Sequence, residues 1–121
     1  MTALPQQPTE LQLQAGALSV LSDLVRRAAV AGVPQHLTPT WCIAGTRVTG
    51  RLRSADDSAL RALDAWLRLV LGVARVEVTT DETPAGPRRV WTMTTVIADV
   101  AIDLSASIPA AAAPRREAVA A

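Results

Sequence analysis

His36 and Cys42 are the only histidine and the only cysteine of this 121-residue chain, and a thiol with an imidazole beside it is the smallest set that supplies a nucleophile and its base. Their separation along the sequence does not bring them together. Cys42 falls mid-strand beside Trp41, where a small buried hydrophobe is the ordinary explanation for a cysteine. The same pair makes half of a tetrahedral zinc set, so a metal site would need a second copy of the chain to complete it.

The carboxylates have structural explanations. Asp56 and Asp57 stand at the start of a helix, Asp64 precedes Arg68 by one helical turn, and Asp81 and Glu82 sit in a polar stretch. Asp99 interrupts an apolar run, either capping a turn there or pairing with an arginine across a sheet. No glycine-rich phosphate loop, nucleophile elbow or HExxH sequence occurs. The reading is therefore non-enzymatic, with no catalytic residue, metal or cofactor assigned.

Arginines offer a different chemistry. Arg47, Thr49, Arg51 and Arg53 alternate with Val48, Gly50 and Leu52, so in a strand they share the face turned away from the core, joined by Arg75 from another strand. Three readings stay open: a solvated or internally paired face, a surface for a protein partner, and a phosphate-binding stripe. Nucleic acid is the weaker of the last two, since no aromatic interleaves the arginines and Glu77 is placed to neutralise them.

The elements that position these residues are marked by turns and periodicity. Residues 1–9, with Pro5 and Pro8, form a disordered lead-in. A helix spans about Ala15 to Ala31 with Leu18, Leu21, Val25 and Ala28 on one face, and Gly32 and Pro34 stop it. Leu11 to Gln14 is either a short strand or an early helical turn. A hairpin follows, Trp41 and Ile43 leading into a turn at Gly45-Thr46 and a return strand through Gly50, with one long strand bulged at Gly45 as the alternative. Ser54 is placed to cap the next helix with Asp57 as its partner. Leu60, Leu63, Trp66, Leu67, Val70 and Leu71 make that helix's apolar stripe, and Gly72 ends it.

A third strand alternates through Ala74, Val76 and Val78. Asp81 to Pro87 reads as a loop, and Val90 to Ile97, containing Trp91, is the fourth strand, continued through Val100, Ile102 and Leu104 past a break at Ala98-Asp99. Residues 109–121 form a disordered Ala/Pro-rich tail. The expected fold is α+β: one domain over residues 10–108, a small antiparallel sheet of a hairpin and two further strands, with two helices on one face in the order α-β-β-α-β-β. No coiled-coil heptad or transmembrane span is read.

Composition narrows the function classes. Twelve basic and eleven acidic residues leave a formal charge of +1, so no global field draws the chain to nucleic acid or to an anionic membrane. A single cysteine excludes a disulfide scaffold. Every basic side chain but His36 is arginine, and Lys, Phe, Tyr and Asn are absent, the signature of a high-GC, bacterial genome. The first residues carry no basic region before an apolar core, so a cytoplasmic, untethered protein is expected.

The segment Ile43 to Ser54, IAGTRVTGRLRS, resembles one near the start of the gas-vesicle accessory protein U family, where an apolar strand turns at a glycine and returns as an apolar-x-Gly-x-Leu-x-Ser run. The matching positions are Gly45, Val48, Gly50, Leu52 and Ser54. The stretch VWTMTTVIADVAIDL is similar to that family's closing segment through Trp91, Val96 and Asp99. Thr92 and Val100-Ala101 depart from it, standing where the family has an arginine and glycines. The resemblance implies a non-catalytic cytoplasmic protein that influences assembly or clustering of a proteinaceous gas compartment, and it carries over no catalytic residue. The function expected is accordingly a self-associating accessory protein, a homo-oligomer that acts through protein partners. A nucleic-acid-binding regulator and a small Cys/His enzyme are the alternatives.

Overall fold

The computed structural model describes residues 7–72 and 74–114. Residues 1–6 of the expected lead-in and 115–121 of the expected tail lie outside the described residues. The first helix, α1 (Glu10–Ala31), starts earlier than the apolar periodicity alone suggested. Thr9 and Gln12 form a capping box: the Gln12 N–H donates to the Thr9 hydroxyl at 3.2 Å, and the Thr9 N–H donates to Gln12 Oε1 at 2.8 Å. That reciprocal pair makes Leu11 to Gln14 the first helical turn. Gly32, at φ 86°, closes the helix in the left-handed region.

The inward face of α1 is also rotated from the expected one. Ala17, Leu21, Leu24 and Ala28 are buried, while Leu18 and Val25 are exposed. Apolar residues lie on two sides of this helix, so periodicity left its rotation open, and packing against the sheet selected the side with Leu24.

The strands β1 (Thr40–Ala44) and β2 (Arg47–Arg53) form the expected hairpin, with Gly45 at φ 59° in its two-residue turn. Helix α2 (Ser58–Trp66) continues as a π-helical turn over Leu67–Leu71, and Gly72 ends it at φ 71°. Leu60, Leu63, Trp66, Leu67 and Val70 are buried as their spacing predicted. The helix begins later than Ser54, and the Ser54–Asp57 box does not form. Instead the Ser54 hydroxyl accepts from the Ala59 N–H at 2.9 Å, and Asp56 Oδ1 accepts from the Ser58 N–H at 2.9 Å. One intervening turn separates strand from helix, so the capping work is divided between Ser54 and Asp56.

Three strands follow: β3 (Arg75–Thr83), β4 (Gly86–Ile97) and β5 (Val100–Pro109). Two expectations are corrected here. Asp81 to Pro87 is not a loop, because both strands extend through it to a tight turn at Pro84-Ala85, closed by the Thr83 hydroxyl donating to the Gly86 carbonyl at 2.6 Å. This end of β3 is an exposed edge where polar residues satisfy strand geometry without an apolar alternation, and Pro87 precedes the point at which β5 begins to pair. The break at Ala98-Asp99 is a hairpin turn, so Val100 onward is a separate fifth strand. Pro109 is its last residue, and Ala110–Ala112 add a turn of 3-10 helix.

The fold is α+β, with a mixed rather than wholly antiparallel sheet in the order β1-β2-β5-β4-β3 and one parallel pair, β2 with β5. Both helices pack on the same face, α2 against β2 and β5 and α1 against β1 and β2. Val48, Leu52, Trp91, Met93, Ile102, Leu104 and Ile108 fill the core between the layers. No helix among the described residues is long and apolar enough to cross a membrane.

Candidate interaction surface

Strand pairing fixes what the second face of the sheet presents. In β2 the residues Arg47, Thr49, Arg51 and Arg53 alternate with buried Val48, Gly50 and Leu52, as predicted. The parallel neighbour β5 places Ala101, Asp103, Ser105 and Ser107 beside them in the same order, and β4 adds Val96, Thr94, Thr92 and Val90. Arg75, Glu77, Thr79 and Asp81 of β3 complete the face. It carries mostly threonine, serine and charge, and neither helix covers it.

The electrostatics differ from the sequence reading. Glu77 lies on β3, three strands from β2 and therefore about 14 Å away, at roughly 4.8 Å per strand. It cannot neutralise the hairpin arginines within one molecule. It pairs instead with Arg75 of its own strand at 3.3 Å, so Arg75 shares the face with the arginine row without belonging to it. Asp103 of β5 takes over the expected role and forms an ion pair with Arg47.

Arg88, which the sequence reading left out, is the best-anchored cation of the face. Its Nε donates to the Ser107 hydroxyl at 2.8 Å, and its Nη2 to the carbonyls of Ser54 and Ser107 at 2.9 Å each. Burial and the neighbouring Arg53 lower its pKa below the ordinary guanidinium value. Arg51 and Arg53 make no ion pair or hydrogen bond among the described residues. The alternation of Val100, Ile102, Leu104 and Ile108 was the signal that would have placed Asp103 and Ser107 on this face, once β5 was recognised as a strand.

The sites considered for chemistry are not assembled. Cys42 is exposed rather than buried: Trp41 and Ile43 occupy the helix-facing side of β1, so the residue between them points to the open face. His36 is exposed in the connection after α1, and no hydrogen bond joins the two. Among the described residues no three His, Cys, Asp or Glu side chains are grouped to hold a metal. A cavity of about 300 Å³ lies between the end of α1, the connection through Pro34 and Pro39, and the edge-to-face pair Trp41–Trp66, whose centroids are 5.6 Å apart. None of its lining residues is titratable, so the lining supplies no general base to activate the Thr38 hydroxyl. Among known proteins, no family model matches the chain and no curated protein matches it significantly.

Proposed function

We propose that this chain is a non-catalytic interaction protein that self-associates and works through protein contacts made by the bare face of its sheet, as an accessory factor in an assembly. The observation that carries the reading is the pair Arg51 and Arg53, unpaired cations on a face of the sheet that no helix covers. Beside them run hydroxyl-rich rows, Ser105 and Ser107 of β5 and Thr92 and Thr94 of β4, on the same uncovered face.

Assembly of the gas-vesicle type is the named version of this function, and it rests on the resemblance through Gly45, Val48, Gly50, Leu52 and Ser54. The protein is read as cytoplasmic on the same terms. A protein surface is favoured over nucleic acid because Asp103, Glu77 and Asp81 share the face with the arginines, and carboxylates repel phosphate.

The test is a double variant, Arg51→Ser with Arg53→Ser, which leaves Arg47 to Asp103. Pull-down from the native host and light scattering should both show weaker association, with the circular dichroism spectrum unchanged. A steep fall in DNA or RNA affinity with added salt, seen near physiological salt, would overturn the reading in favour of a nucleic-acid regulator.

A further inference from the structure

Strand register sets Arg51 and Glu77 at the same height on the sheet. Arg51 pairs with Ser105, Ser105 with Thr92 and Thr92 with Glu77, one unbroken row across four strands. The next row runs Arg53, Ser107, Val90, Thr79, and Asp81 stands one row beyond, beside Arg88. The unpaired cations Arg51 and Arg53 thus occupy the β2 side of the face, while the β3 side carries Asp81 and Glu77, the latter sharing its charge with Arg75 at 3.3 Å, and neither carboxylate reaches β2 within one molecule. A surface of that kind is complementary to itself.

We propose that the partner on this face is a second copy of the chain, stacked sheet on sheet about a two-fold axis that runs parallel to the strands between β5 and β4. The proposal rests on the reading above that the bare face is the contact surface. Such an axis preserves height along the strand and exchanges β2 with β3, so Arg51 of each copy meets Glu77 of the other. Arg53 then lies over Thr79 with Asp81 one step along the strand. The same operation sets Ser105 over Thr92, Asp103 over Thr94, and Ala101 over Val96, the last being an exposed valine with 66% of its surface free. These last three are hydroxyl, acid–hydroxyl and apolar matches; Thr49 falls over Arg75 and Ser107 over Val90, and no like charges stand directly opposite each other.

Sheets that stack face to face keep their strands within about 30° of each other, which this axis satisfies. The four strands that face each other, β2, β5, β4 and β3, span roughly 19 Å across and about 25 Å along their length, on the order of 500 Å² per copy. That total of about 1,000 Å² lies below the range of stable specific interfaces, so a weak, reversible dimer is expected. The polar rows make it a contact for assembly, not an obligate core.

Sedimentation equilibrium on the full chain, over a concentration series reaching the millimolar range, reads the dimer directly. Arg51→Glu alone and Glu77→Arg alone should each weaken it by about tenfold or more, since each reversal sets like charges opposite twice across the axis. The double variant Arg51→Glu with Glu77→Arg restores opposite charges in both contacts and should return affinity to within about threefold of the wild type. Added salt should weaken the wild-type dimer.

A wild-type chain that stays monomeric throughout overturns the proposal. Loss of association in the Arg51→Ser, Arg53→Ser variant without rescue by the charge swap overturns this two-fold pairing while leaving the bare face as a contact surface. If Leu18→Glu dissociates the dimer and the charge reversals do not, the contact is the exposed Leu11, Leu18 and Val25 side of α1, and both the pairing and the sheet-face reading fall.

Discussion

The indole of Trp41 lies directly over Gly50 of the neighbouring strand, so a Cβ built at position 50 would stand 2.6 Å from the ring carbon Cζ3 of Trp41 and 2.7 Å from Leu104 Cδ1. Glycine here is a packing requirement. The missing side chain lets Trp41 settle onto the sheet and reach Trp66 of α2 edge to face, tying the sheet's edge hairpin to the helical layer.

Gly50→Ala should therefore destabilise the protein by about 1 to 3 kcal/mol through overpacking, although alanine is ordinarily the better strand residue. Urea unfolding measures it. A loss below about 0.5 kcal/mol would mean that the ring can move aside at no cost.

Leu63 is fully buried where α2 crosses the sheet. Leu63→Ala should cost about 2 to 5 kcal/mol, the range for deleting a buried leucine that leaves a cavity. A matched Leu18→Ala change, on the exposed side of α1, should cost less than about 1 kcal/mol. Comparable losses at the two positions would contradict the rotation of α1 described above.

The difference between these two leucines shows where the sequence was legible. In α2 the apolar residues occupy one stripe and charged pairs the other, so Leu63 and Trp66 had one possible direction to point. In α1 alanines and aliphatics lie on two sides, and only the sheet decides which is covered. Strand alternation likewise placed Arg47, Arg51 and Arg53 correctly, because it is local. Which strand lies beside which is not local: nothing in the sequence separated β2 from β3 by two strands, and so Glu77 was matched with arginines it cannot reach. Thr9 with Gln12 was a readable cap hidden by the Leu-Gln alternation beside it.

Ala98 and Asp99 form the two-residue turn between β4 and β5 with φ of 50° and 65°. Both positions are in the left-handed region that a type I′ hairpin turn demands and that alanine disfavours. Ala98→Asn with Asp99→Gly should stabilise the protein by about 0.5 to 1.5 kcal/mol. A thermal melt that falls, with the fold otherwise intact, would show that Ala98 or Asp99 makes a contact worth more than the backbone strain.

Exposure changes what Cys42 should do. On the open face of β1 it should react with a thiol reagent in the folded state, and Cys42→Ser should alter stability by no more than about 0.5 kcal/mol. Labelling under native conditions checks the first and urea melts the second. Association should survive the substitution, since β1 lies outside the rows that match across the proposed axis.

Asp56 gives the fold a pH dependence at its acid end. Hydrogen bonding from Ser58, through its hydroxyl and then its N–H, holds the Asp56 carboxyl below the ordinary carboxylate range. A depressed folded-state pKa means that the unfolded chain takes up the proton first as pH falls. The stabilisation by Asp56 is therefore fully present above the unfolded value near 3.9, about that of a free aspartate, and is lost as pH drops through the folded value. Asp56→Asn should lower the urea midpoint at neutral pH, and its deficit against the wild type should narrow as pH falls below about 4. A deficit that stays constant down to the acid limit would mean that Asp56 acts through its shape and not its charge, and no deficit at neutral pH would mean that the turn into α2 is held by Ser54 alone.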